Sequence, residues 1–159
     1  MKGIKFLPLV IALAFWSCNS DSDTVNKDVK LLAVNQSGCN NQKSVAADSL
    51  SERIVVKALG DGRYSIEHFD SRFNCCLSEG IAIDAWFRND TLFFSESEKV
   101  MGTCKCLCPY DVSAEIGNLA DGDYVLCIIK ATTYLGTANL FFNKTLNEEI
   151  LISELTDNL

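Results

Sequence analysis

Eight cysteines in a chain of 159 residues are the side chains best equipped to do chemistry. Seven lie in the body of the chain, at Cys39, Cys75, Cys76, Cys104, Cys106, Cys108 and Cys127, while Cys18 stands near the start. Such residues can form disulfides in an oxidising compartment, hold a soft metal as thiolates, or act as reactive thiols. Adjacent Cys75-Cys76 and the alternating row Cys104, Cys106, Cys108 are spacings that thiolate clusters use for zinc or copper(I). Against a zinc site, the paired Cys-x2-Cys knuckles are absent and His68 is the only histidine. A thioredoxin-like role has no support, because neither Cys-x-x-Cys nor a βαβ pattern occurs.

Other catalytic constellations are equally thin. His68 sits in an alternating stretch, Ile66-Glu67-His68-Phe69-Asp70, and reads as a strand histidine that is half exposed or hydrogen-bonded. No Gly-x-Ser-x-Gly elbow accompanies it. Carboxylates at Glu96, Glu98, Asp111, Glu115, Asp121 and Asp123 have no spacing that marks a glycosidase pair, since such pairs are defined by distance in the fold. Asp121-Gly122-Asp123 lacks the remaining ligands of a calcium loop and reads as a turn. No catalytic residue is assigned, and the chain is read as a non-enzyme.

The elements that must position the cysteines are short strands. Residues 29–34 and 54–59 are apolar, and Asp61-Gly62 marks a turn. Residues 63–69 alternate, with Tyr64, Ile66 and His68 on one face. Residues 81–88 alternate too, with Asn89-Asp90 as a hairpin turn into 91–95. Trp86, on the polar-leaning face, is a candidate for a partner patch. Further strands fall at 110–116, 124–130 and 138–142, the run 124–129 being apolar throughout as in a central strand. Residues 146–159 suit either a short helix or an edge strand. The run from Ile116 to Tyr124 resembles the corner between two sheets of immunoglobulin-like and fibronectin-like domains, where a tyrosine hydroxyl bonds back to upstream backbone. Tyr124 would be that tyrosine; a plain Asp-Gly hairpin fits the same residues. The expected fold is all-β, an antiparallel immunoglobulin- or fibronectin-like sandwich stapled by disulfides, with the C-terminal segment open between a short helix and an edge strand.

Strand geometry constrains the pairing. An extended 103–108 turns Cys104, Cys106 and Cys108 to one side at ~6.6 Å intervals, which is poor geometry for bonding among themselves. Partners must come from elsewhere, and Cys75-Cys76 is the obvious donor pair. Consecutive cysteines in a strand face opposite ways, so both can reach the row only if the chain turns there. A bridge between pair and row closes a loop of roughly thirty residues and contributes about 3–4 kcal/mol on the chain-entropy model. Seven is odd, so at least one cysteine forms no bridge within the chain. The remaining connectivity stays open.

The N-terminus sets the compartment. Lys2 and Lys5 flank a short uncharged apolar run over 6–16, too short for a bilayer core that needs ~20 apolar residues, and it reads as a signal peptide. Phe15-Trp16-Ser17-Cys18 resembles a bacterial lipobox, with a small residue before the cysteine, although the usual leucine and small residue at its first two positions are replaced. The resemblance implies removal of residues 1–17, acylation of Cys18 and a flexible spacer over 18–30. One sandwich domain then spans 31–159. No other cofactor is expected. Each buried methylene contributes about 0.8 kcal/mol and one chain anchors only marginally, so the three chains of a lipobox cysteine make a durable attachment. Asn19-Ser20-Asp21-Ser22-Asp23 resembles the acidic, serine-rich export signal of Bacteroidetes lipoproteins, implying the outer membrane and the cell surface.

The string Cys104-Lys105-Cys106-Leu107-Cys108-Pro109-Tyr110-Asp111-Val112, with Cys75-Cys76 before it and Leu119 and Gly122-Asp123-Tyr124 after it, resembles small Bacteroidetes lipoproteins of uncharacterised function. The resemblance covers roughly residues 63–130, implies a secreted β domain, and brings no catalytic residue with it.

Charge narrows the partners. Losing Lys2 and Lys5 with the leader leaves 12 basic against 21 acidic side chains, a net charge of −9. Nucleic acid is excluded as a partner, because no basic patch offsets that balance. The leading expectation is a membrane-anchored, non-enzymatic binding or accessory module of the cell envelope, facing an envelope or extracellular protein or a glycan. One alternative is a lipoprotein holding zinc or copper through Cys75, Cys76, Cys104, Cys106 and Cys108. Another is a protease inhibitor, which requires an exposed apolar loop near 104–110.

Overall fold

A computed structural model describes residues 29–39, 52–101 and 103–155. Cys18, the leader and most of the spacer lie outside them. Nine strands follow in order: β1 (Lys30–Gln36), β2 (Arg53–Gly60), β3 (Arg63–Asn74), β4 (Ile81–Arg88), β5 (Thr91–Glu98), β6 (Leu107–Gly117), β7 (Gly122–Lys130), β8 (Thr133–Phe142) and β9 (Asn147–Leu151). Two of the turns have a local cause. Asp61 and Gly62 have φ of 53° and 67°, and Asn89 and Asp90 have 49° and 60°. Positive φ at both central residues is the type I′ geometry that matches strand twist, so β2–β3 and β4–β5 close as tight hairpins.

The strands form a five-stranded sheet, β1-β6-β3-β2-β9, and a four-stranded sheet, β4-β5-β7-β8. Their inward residues share one core: Ile54, Val56, Tyr64 and Ile66 from the first sheet, with Leu92, Phe94, Leu126, Ile128 and Phe142 from the second. The Tyr64 and Phe142 rings meet edge-on at 4.9 Å across the sheets. Each large apolar side chain buried here contributes about 1.5–3 kcal/mol, and the two faces together make a β-sandwich.

Three features refine or correct the sequence reading. The second sheet is mixed rather than wholly antiparallel, because β5 lies parallel to β7. A parallel neighbour requires a crossover connection, and β6, lying in the opposite sheet, supplies it. Of the two readings open for the C-terminal segment the edge strand holds, since Asn147–Leu151 pair with β2 as β9 and are followed by a single 3-10 turn over Ile152–Glu154. Finally, β3 is twelve residues long rather than seven. Its ladder with β6 is interrupted between His68 and Ser71, where Asp70 takes a φ of 59°. This bulge reverses the phase of the strand, so Tyr64, Ile66 and His68 point inward before it and Ser71 and Phe73 after it.

Candidate functional site

The cysteines gather at one end of the sandwich. Cys75 pairs with Cys106 and Cys76 with Cys104, while Cys39 is bridged to Cys108. Both members of the 75–76 pair reach the row because the chain turns there. The Asn74 side chain accepts from the Cys76 N–H at 2.9 Å and donates to the Cys104 carbonyl at 2.7 Å. The backbone N–H of Cys75 donates to the Cys106 carbonyl at 3.2 Å. The row is not one strand: Cys104 and Cys106 lie in the loop before β6, and only Cys108 is in the strand, nearly buried. The extended conformation assumed over 103–108 is therefore corrected. The backbone of the turn, rather than strand alternation, aims these sulfurs.

Pro109 and its neighbours fit this end for a physical reason. Proline cannot donate to a ladder and is tolerated only where its nitrogen faces no partner strand. The pairing of β1 with β6 stops at Val112, so among the described residues β6 has a strand on one side only at Pro109, where it faces Arg72 of β3. The next residue, Tyr110, is buried and its hydroxyl donates to the Asn74 carbonyl at 3.2 Å. The Asp111 carboxylate then accepts from the Asp70 N–H at 3.1 Å, tying down the bulge.

Exposed apolar residues flank the stapled segment. Met101 is 85 % exposed and Leu107 69 %. Both line a cleft of about 610 Å³ together with Phe73, Leu135, Arg72 and Lys130. Met101 precedes the bridged Cys104 and Cys106 and Leu107 follows them, so the two exposed side chains flank the staples.

Beneath that end lies a polar cluster that sequence reasoning missed. His68 and Glu96 have no exposed surface, and neither has Ser71. His68 Nδ1 lies 2.9 Å from Glu96 Oε2, and the Ser71 hydroxyl donates to the same oxygen at 3.1 Å. On the other side His68 Nε2 stands 3.1 Å from Glu52 Oε1, an ion-pair distance without the alignment of a hydrogen bond. Lys130 of β7 also binds Glu52. Burial disfavours a charged imidazole, but the Glu52 and Glu96 carboxylates outweigh it and hold His68 above its ordinary value. Burial likewise acts to raise Glu52, yet His68 and Lys130 together hold it below the usual carboxylate range. Ser71 donates to Glu96 and not to the imidazole, so the three residues form a buried clamp between the sheets rather than a nucleophile–base pair. The bulge at Asp70 is what brings both His68 and Ser71 onto Glu96. Its one signal in the sequence is the shift of inward positions from even to odd numbers between 68 and 71.

The remaining candidates lie apart. Tyr124 is buried at the opposite end, where the chain crosses between sheets from β6 to β7, and its hydroxyl donates to the Ala120 carbonyl at 3.0 Å. It therefore forms the tyrosine corner. Leu119 is buried beside it, and its N–H donates to the Gly62 carbonyl at 3.2 Å. A Cβ at Gly62 would stand 2.8 Å from the Leu119 carbonyl oxygen, which with its positive φ fixes glycine there. Cys127 is the unbridged cysteine among those described. It is fully buried, in register between Phe93 and Thr137, and burial pushes its thiol up. Trp86 is 41 % exposed and stacks on Phe93 at 5.2 Å.

For the metal alternative, the Sγ atoms of Cys75, Cys76 and Cys104 lie within 4.8 Å of one another. Each is engaged in a disulfide, which removes the thiolate that a soft metal needs. Compared with protein-family models, curated proteins and solved structures, the chain matches none.

Proposed function

We propose that this protein is a lipid-anchored module of the bacterial cell envelope that binds a protein partner through the stapled end of its sandwich, without catalysing a reaction on it. The observation that carries the reading is the exposure of Met101 and Leu107 beside the cleft, on either side of a loop segment held by two disulfides. A loop fixed in advance loses little conformational freedom on binding, so its apolar contacts convert into affinity more fully. The lipobox-like Cys18 supports attachment to the outer membrane, and the acidic Asn19–Asp23 segment supports display at the cell surface.

The same exposed loop favours a second reading, a protease inhibitor that offers Met101 or Leu107 to a primary specificity pocket. The test is photo-crosslinking in the native envelope, with a photoreactive residue at position 101 and, separately, at exposed Lys144 as control. A discrete adduct at 101 that disappears when the disulfides are reduced supports the module, and a protease in that adduct selects the inhibitor form. Equal labelling at both positions would remove the basis for the proposal. Acylation is read separately, by loss of lipid from the Cys18→Ser variant.

A further inference from the structure

The four sheet-edge strands are not equally protected. An exposed edge presents backbone N–H and C=O groups to any passing strand, and proteins blunt such edges with charge, proline, brevity or cover. In the first sheet, β9 is five residues long and carries Glu148 and Glu149, while β1 carries Lys30 and a bulge after Leu31. In the second sheet, β4 carries Asp84 and Arg88, and its first N–H donates to Gln36 at 2.7 Å. By contrast β8 is ten residues long with neither charge nor proline, and its one irregularity, at Leu135, leaves residues 138–142 in regular register with β7. Among the described residues no strand lies on its outer side.

The half of β8 beyond its irregularity opens on a groove. Residues 138–141 form one wall of a cleft of about 490 Å³ between the two sheets, and β9 with the segment before it forms the other. Leu140, Leu146 and Ile150 line the groove, Leu140 and Leu146 being nearly buried. Asn139, Asn143 and Glu148 bring polar groups to it, and among the described residues no lysine or arginine lines it.

We infer that residues 138–142 of β8 are a docking edge for an extended segment of another protein, which joins the second sheet as a fifth strand. Main-chain hydrogen bonds to β8 supply the affinity, and alternate side chains supply the selectivity. Apolar residues at every second position cover Leu140, Leu146 and Ile150. Basic residues answer Glu148, the charged side chain among the described residues that line the groove. Charge complementarity singles out this occupant over a second copy, since copies paired edge to edge would carry the same acidic β9 margins. The edge is separate from the stapled end, so either surface can fail while the other stands.

The experiment uses the full chain in detergent and two ten-residue probes, one alternating valine with lysine and the other valine with glutamate. Amide exchange at 138–142 is expected to slow at least about tenfold on saturation with the lysine probe, with exchange at the β1 and β4 edges unchanged. Glu148→Lys is expected to weaken that probe about fivefold, the scale of a surface ion pair, and to favour the glutamate probe instead. Glu148 is exposed, so the variant does not threaten the fold. Slowing at a different edge, or a probe preference indifferent to Glu148→Lys, overturns the inference. So does concentration-dependent protection without any probe, which assigns the edge to a second copy. Full protection already present in the monomer overturns it too, because the chain's own residues then fill the groove.

Discussion

Strand β6 runs from the stapled end, where Cys106 and Cys108 are bridged to Cys75 and Cys39, to the corner end, where Tyr124 closes the crossover with one hydrogen bond to Ala120. At the corner the connecting residues are few and Leu119 is buried, so packing and one hydroxyl suffice to hold the backbone. At the stapled end, Met101 and Leu107 face water. Exposure gives that loop no hydrophobic reason to adopt one shape, and covalent bonds supply the order instead. The contrast separates a corner built for stability from a loop held in a conformation that does not serve its own burial.

Removing the staples is the strongest way to break that comparison. Serine at Cys75, Cys76, Cys104 and Cys106 is expected to cost about 4–6 kcal/mol in chemical denaturation, because two losses of about 2–5 kcal/mol overlap in nested loops. Amide exchange should rise in 99–107 and stay slow in 116–126. An equal rise at the corner would show that the two ends are not independent.

The buried clamp beneath the stapled end comes next. Glu96→Ala is expected to cost about 3–4 kcal/mol in the same assay, since His68 is then left buried with a partner removed. A loss under about 1 kcal/mol would mean that the clamp is already neutral or hydrated. The pH dependence has two limbs. His68 is held above its ordinary value near 6.5, so its contribution is complete below that value and is lost as pH rises through the folded value. Glu52 is held below its ordinary value near 4.5, so its contribution is complete above that value and is lost as pH falls through the folded one. Thermal stability should therefore peak between about pH 4.5 and 6.5. His68→Gln should remove the alkaline limb, and a variant profile identical to the wild type would contradict the assignment.

The smallest effect belongs to the corner. Tyr124→Phe removes one hydroxyl and is expected to cost about 1 kcal/mol, with exchange rising locally around 119–122. A loss comparable to that of the staples would reverse the comparison.

Much of this architecture is legible in the residues. The alternation over 81–88 and the Asn89-Asp90 turn give the β4–β5 hairpin directly, because both depend only on neighbours in the chain. Linkage of Cys75-Cys76 to the 104–108 row is anticipated, but the strand geometry behind it does not hold, since Cys104 and Cys106 lie in a loop and a turn at Cys75-Cys76 aims both sulfurs. Tyr124 lies where the corner pattern places it. The parallel β5–β7 ladder is not legible, since it depends on which strand of a hairpin meets a segment thirty residues later. The clamp is hidden for the same reason. Glu52, Glu96 and Lys130 come from different strands or their approaches, and His68 and Ser71 share a face only through the bulge at Asp70. The exposure of Met101 has no local signal either, because it depends on how the segment between β5 and β6 lies against the rest of the fold.

The most direct test of the cysteines as staples is a peptide map of the native, non-reduced protein, with thiol alkylation and metal analysis on the same sample. The account predicts Cys39–Cys108, Cys75–Cys106 and Cys76–Cys104 linked peptides, with Cys127 alkylated only after unfolding. Alkylation of Cys75, Cys76, Cys104 and Cys106 in the folded protein, with stoichiometric zinc or copper, would contradict it and move the function into those thiolates.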